Sequence, residues 1–261
     1  MKCKLCLKDR LLLKRSHIIP DFQYKELYDE KHRIISFNIE KDKSKSIPTG
    51  EYESNILCQD CDNKLIGSLE SYASLVFFGG TKIETGKFRK KDGLEFVHAK
   101  GINYKKFKLF LLSVLWRASI SSRSLFKQVN LGPHEEEVRK MILSGDPGSS
   151  CKYPCMISSY RHQNILKEIV GEPRQMRIDA KKGCGITGYA FLIAGFLYIF
   201  KITKDDKDKA FQEAVINKNG CMMIPYITQD QLPIILSQYL SLSQKEVSKL
   251  IYISKREREK I

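Results

Sequence analysis

Apolar positions along the chain fall into short extended runs near the start, one long helical stretch in the middle, and further extended runs towards the end. Residues 11–19 are apolar with a basic interruption and predict a strand, 21–28 a short helix, and 33–39 a second strand. Residues 41–50 are polar and close on Pro48-Thr49-Gly50, which reads as a loop. A short strand over 53–57 runs into a cysteine pair. From Cys61 the spacing of Leu65, Leu69, Tyr72, Leu75 and Val76 is helical until Gly79 and Gly80 stop it.

The clearest helix lies over 104–121, where Phe107, Phe110, Leu111, Val114, Leu115 and Ile120 make an apolar side and Trp116 is the one tryptophan of the chain. A second helix starts near Pro133, with Glu135, Glu136 and Glu137 in its first turn and Arg139 and Lys140 nearer its end, as the helix dipole favours. The cluster Gly145-Asp146-Pro147-Gly148 is a turn and marks a boundary. Beyond it the pattern predicts strands to about Tyr226, then helices over 229–240 and 243–260. The expected fold class is α+β, in three parts: a module over 1–80, a basic helical region over 81–148 with a connector at Lys87, Arg89, Lys90 and Lys91, and a C-terminal α+β region over 149–261.

Residues 183–200 form 18 consecutive positions without a charge, the minimum length for a membrane span. Their aromatic and β-branched content, with Ala194-Gly195 between two apolar arms, instead favours a hairpin. The preferred expectation is no membrane association, with the span as the competing reading.

Composition narrows the class. Of 261 residues 42% are hydrophobic and 10% aromatic, which excludes general disorder. The formal net charge of +15 makes a polyanion the first partner to consider. Residues 101–182 are the most cationic third, with 15 basic against 7 acidic side chains. Lys105, Lys106, Lys108, Arg117, Arg123 and Lys127 are candidates there for contacting phosphates. The start lacks a secretory leader, so a cytoplasmic location and reduced thiols are expected.

Eight cysteines then become informative through spacing. Cys3-x2-Cys6 and Cys58-x2-Cys61, separated by 51 residues, are two knuckles of the kind that present four thiolates to one structural zinc ion. Cys151, Cys155 and Cys184, with His162, are spaced unevenly and read as buried thiols rather than as a second metal site. His32, His98 and His134 belong to no ligand pattern.

Between the knuckles stands Ser16-His17-Ile18-Ile19-Pro20. A CxxC, a strand ending in His-Ile-Ile-Pro, then a strand entering Leu-Cys-x2-Cys and a helix together resemble the zinc-containing HNH endonucleases over about residues 1–77. The resemblance implies a ββα-metal (treble-clef) finger and a hydrolase that cuts DNA with a divalent cation, Mg²⁺ or Mn²⁺, in a setting such as bacterial defence against foreign DNA. By position it implies His17 as general base and Asp62 as a metal ligand. Glu53 stands where the family carries its middle asparagine, and Asn55 follows two residues later; either is a candidate to orient the histidine or bind metal. Glu70 is a more distant carboxylate candidate. Ser16 occupies the place before the base where the family often has a metal-binding Asp or His. The competing expectation is a non-catalytic zinc finger that binds nucleic acid or a protein partner.

Overall fold

The structure is a computed structural model that describes residues 1–25, 27–28, 34–38, 43–47, 50–89, 95–160, 170–178 and 186–228, with Gln231 and Lys245. It is mixed α and β. In chain order the strands and α-helices are β1 (Ser16–His17), α1 (Asp21–Tyr24), β2 (Ile34–Asn38), β3 (Lys43–Ile47), β4 (Tyr52–Glu53), α2 (Gly67–Phe78), β5 (Glu84–Arg89), β6 (Glu95–Lys100), α3 (Tyr104–Ile120), α4 (Glu135–Ser144), β7 (Cys155–Ser159), β8 (Arg174–Ile178), β9 (Ile186–Ile193), β10 (Phe196–Lys201), α5 (Lys209–Ala214) and β11 (Met222–Tyr226).

The N-terminal part is built on short pairings. A bridge between Lys2 and Asp9 closes the turn that holds Cys3 and Cys6, and Leu7 takes a left-handed φ of 59° as the chain leaves it. β1 and β4 pair antiparallel, with Ser16 opposite Glu53 and His17 opposite Tyr52. The polar run over 41–50, expected as a loop, contains β3, which pairs with β2 in a two-stranded ribbon. Its Lys-Ser-Lys-Ser-Ile alternation has the strand period, and a ribbon requires backbone pairing rather than an apolar face. The strand expected over 53–57 is shorter, because the chain turns away at Asn55, whose φ is 60°.

A seven-stranded sheet in the order β5-β6-β11-β7-β10-β9-β8 organises the rest, antiparallel except for the parallel β11–β7 pair. β5 and β6 lie where a connector between domains was expected, yet they pair with each other and, through β6, with β11 more than 100 residues later. The region over 81–148 therefore contains two strands of the sheet as well as its helices. The uncharged stretch over 183–200 supplies most of the β9–β10 hairpin, and Ala194 and Gly195 form its turn with φ of 49° and 76°. Among the described residues no helix is long and apolar enough to cross a membrane. Apart from Lys245, the helix expected over 243–260 lies outside the described residues, as does that over 229–240 apart from Gln231.

α3 joins the two parts. Asn103 caps it by accepting from the Lys106 N–H at 3.0 Å, and every residue from Phe107 to Ala118 is buried, so it is enclosed on all sides. Phe22 of α1, Phe77 of α2, Phe107 and Phe110 of α3, and Phe196 and Tyr198 of β10 form one aromatic cluster with centroids 5.1–6.4 Å apart. Gln23 adds a polar tie, donating to the Tyr198 hydroxyl at 2.5 Å. Truncating Phe110, a fully buried member of this cluster, would cost roughly 3–5 kcal/mol.

Candidate functional site

The sulfurs of Cys3, Cys6, Cys58 and Cys61 all lie within 4.8 Å of one another. Four thiolates about 2.3 Å from one tetrahedral ion stand about 3.8 Å apart, so the cluster is close to the geometry that a metal such as zinc requires. Cys6 and Cys58 sulfurs are 4.0 Å apart, and the Cys58 N–H points at the Cys3 sulfur at 3.4 Å. Burial acts against the Cys3 thiolate, but hydrogen bonds with the backbone of Cys6, Cys58 and Leu5 outweigh it and bring the pKa to about 7. Burial raises the Cys58 and Cys61 thiols, as expected for a cluster whose negative charges need a cation. With four protein sulfurs as ligands, a tetrahedral ion held here would have no open position.

The second cysteine pair opens an unusual helix. Asp60–Ile66 winds as a π-helix before the chain continues as α2. Such turns are rare and favour functional sites. The sequence spacing had suggested a uniform helix from Cys61. The wider winding and α2 together set Asp62, Asn63, Gly67, Glu70, Ser71 and Ser74 along one side of a cleft of about 650 Å³, with His17, Asp21 and Phe22 lining the other.

His17 is about one-third exposed, with Nε2 4.0 Å from the Asp21 carboxylate. Burial holds its pKa below the usual imidazole value, although Asp21 and Glu70 pull the other way. It is therefore neutral at pH 7, the form that accepts a proton. Burial pushes the Asp62 carboxyl up to about 6; Arg117 opposes this, Glu70 reinforces it, and Ser16 opposes it again. The cleft thus combines a neutral imidazole with three carboxylates. Among the described residues these groups do not converge as the four sulfurs do.

One cation lies behind the cleft. Arg117 of α3 is 1% exposed; its Nη1 donates to the His17 carbonyl at 2.6 Å and lies 2.7 Å from Glu70 Oε1, while Nε donates to the Ser113 carbonyl. Sequence reasoning placed Arg117 among surface phosphate contacts. Its position four residues after Ser113, in a stretch buried all round, is the signal that it turns inward. Lys108 is likewise buried, donating to the Tyr104 hydroxyl and the Ser149 carbonyl. Lys105, Lys106 and Lys127 are exposed, Arg123 is half-buried, and Lys127 pairs with Glu172.

Glu53 and Asn55 do not line the His17 cleft. The Glu53 carboxylate accepts from Ser121 Oγ at 2.8 Å, from the Ser122 N–H at 2.8 Å and from Ser122 Oγ at 2.6 Å, tying β4 to the end of α3. Asn55 is exposed and lies beyond the end of β4, so strand alternation does not place it on one face with Glu53. Asp21 and Asn63, not singled out in the sequence, do line the cleft. Asp21 could have been noticed four residues from His17, at the head of a helix. Of the remaining thiols, Cys155 is buried and Cys151 lies beside Gln212; His162 and Cys184 are outside the described residues. Compared with protein-family models, with curated proteins and with solved structures, the chain matches none of them.

Proposed function

We propose that the protein is a metal-dependent phosphodiesterase of HNH type acting on DNA, with a zinc-held ββα-metal (treble-clef) finger. The observation that carries this reading is the cleft in which neutral His17 faces the carboxylates of Asp21, Asp62 and Glu70, directly beside the four-cysteine cluster. The element order supports it: a CxxC turn, the β1–β4 pair bearing the histidine, then a helix starting at the second CxxC.

His17 takes the proton of the attacking water as general base. Asp62 and Glu70, set on one side of the cleft, would hold the divalent cation, with Asp21 as a further carboxylate near the imidazole. Bound there, Mg²⁺ or Mn²⁺ supplies positive charge to the phosphoryl and leaving oxygens. The two metal roles remain separate: the sulfurs suit soft zinc and maintain the fold, whereas the carboxylates suit a hard cation. The second reading, a non-catalytic zinc finger, is favoured by one observation: Glu53 is engaged by Ser121 and Ser122, leaving the cleft without a residue at the family's middle position.

Incubation of purified protein with plasmid and Mg²⁺ or Mn²⁺, beside His17→Ala, separates the two. Cleavage by the wild type that His17→Ala loses is the expected result. Full cleavage by the variant would overturn the role of His17, and no cleavage under any divalent metal would favour the binding finger.

A further inference from the structure

Tyr52 stands opposite His17 across the β1–β4 pair, so the two side chains project from the same face of the ribbon. Arg15, two residues before His17, turns to that face as well: its guanidinium carbon lies over the Tyr52 ring, 5.1 Å from the centroid. Arg123 reaches the same ring from beyond α3, with its guanidinium carbon 5.3 Å from the centroid and its Nε donating to the Tyr52 carbonyl at 2.6 Å. Two cations thus share one aromatic ring beside the cleft, and the charge of Arg15 extends to His17.

Among the described residues neither guanidinium is ion-paired. Glu53, the acidic neighbour whose carboxylate Arg123 influences, has its oxygens committed to Ser121 and Ser122. Stacking on tyrosine leaves the edge of Arg15 free to donate paired hydrogen bonds, and of Arg123, whose Nε is engaged by the Tyr52 carbonyl, it leaves the terminal nitrogens. An arginine edge of this kind matches the oxygens of a phosphodiester.

We propose that Arg15, Tyr52 and Arg123 form a phosphate-binding platform that seats the backbone of a polynucleotide next to the His17 cleft. The ligand class rests on the phosphodiesterase reading of that cleft. The platform holds the strand by charge and shape and reads no sequence, since phosphate contacts position without specifying.

The test is fluorescence anisotropy of a labelled DNA duplex with wild-type protein over a salt series and no added divalent ion. Arg15→Gln is the principal variant, because among the described residues the Arg15 side chain makes no backbone hydrogen bond whose loss would disturb the fold; it should reduce the slope of log K against log salt by about 0.9, and Arg15→Gln with Arg123→Gln by about twice that. Arg15→Lys should retain most of the slope. Lys140→Gln, on the exposed side of α4 and paired with Glu136, should leave it unchanged. An unaltered slope and affinity in Arg15→Gln, an equal loss in Lys140→Gln, or no binding by the wild type would overturn the platform. Cleavage by the wild type with unaltered binding in the arginine variants would remove the platform and leave the hydrolase standing. Binding that depends on Arg15, in a protein that cuts nothing, would do the reverse.

Discussion

Arg117 Nη1 donates to the backbone carbonyl of His17 at 2.6 Å across 100 residues of chain. The same nitrogen is 2.7 Å from Glu70, so one buried guanidinium fixes both the strand that carries the histidine and the helix that carries the carboxylates. Removing one partner of a buried pair leaves the other charged and unsatisfied. Arg117→Met should therefore lower the unfolding free energy in urea by about 3 kcal/mol, at the low end for buried pairs because Glu70 retains some solvent. Arg117→Met combined with Glu70→Gln should recover part of the loss. Equal stability of wild type and Arg117→Met would show that the pair contributes nothing.

Two of the three carboxylates named from sequence, Asp62 and Glu53, should separate in their effects. Asp62→Asn should abolish divalent-metal-dependent cleavage while leaving the fold intact. Glu53→Gln should retain cleavage, yet cost about 1 kcal/mol as hydrogen bonds to Ser121 and Ser122 weaken. Cleavage rates and melting temperatures measured on both variants decide the matter. Loss of cleavage in a stable Glu53→Gln would return that residue to the catalytic machinery.

On the proposed mechanism, the lowered pKa of His17 would set the acid side of the rate profile. A base must be neutral, so activity falls as pH drops through the folded-state value, which lies below 6.5. Asp62 becomes neutral below about 6 and would release a cation over the same range. kcat/KM should hardly change from pH 8 to about 7 and fall only below the ordinary imidazole range. A midpoint at or above 7 would contradict the burial of His17. Stability follows the same sign for this group: the unfolded histidine accepts a proton more readily, so its contribution is lost as pH falls below 6.5.

Metal content tests the four-cysteine cluster directly. Elemental analysis should give about one zinc per chain, and Cys61→Ser should bring it close to zero with loss of the N-terminal fold by circular dichroism. Structural zinc contributes on the order of 10–16 kcal/mol in small fingers, comparable with or larger than the whole stability of a typical domain. Acidification should release the metal as protons compete for the thiolates. A folded wild type without metal would rule out the structural centre.

Lys108 offers a stability measurement independent of activity. Burial lowers its pKa to about 7, with Lys152 and Lys218 acting in the same direction and Cys151 and Asp146 against it. The folded chain thus binds fewer protons than the unfolded one between about pH 7 and the ordinary lysine value, and this residue's contribution to stability rises with pH across that window. Lys108→Met should remove that rise and be at least as stable near neutrality, by about 1 kcal/mol or more. Parallel wild-type and variant profiles in urea melts at several pH values would show that Lys108 titrates normally.

What could be read in the sequence was local. The CxxC spacing specifies its chemistry within four residues, Ala194-Gly195 marks a turn by its neighbours, and the periodicity of α3 is internal to it. What could not be read depends on partners distant in the chain. No pattern within 84–100 announces that β6 will pair with β11, and nothing around Glu53 points to Ser122, 69 residues away. Arg117 was misplaced for the same reason, since a charged residue in an apolar helix shows its direction only once Glu70 and the His17 carbonyl are brought to it. The cleft was half legible: His17, Asp62 and Glu70 by motif and spacing, Asp21 and Asn63 by the packing of α1 against the π-helical turn and α2.

The burial of α3 on every side bears on how such a protein can be inherited. A module whose surface ends at solvent can be spliced onto another chain with its activity intact. Here one wall of the cysteine-bearing half is a helix supplied by the following segment, and that helix in turn lines the sheet. The two halves must change together: a substitution on α3 that suits the sheet is tested at the same time against the strand bearing His17.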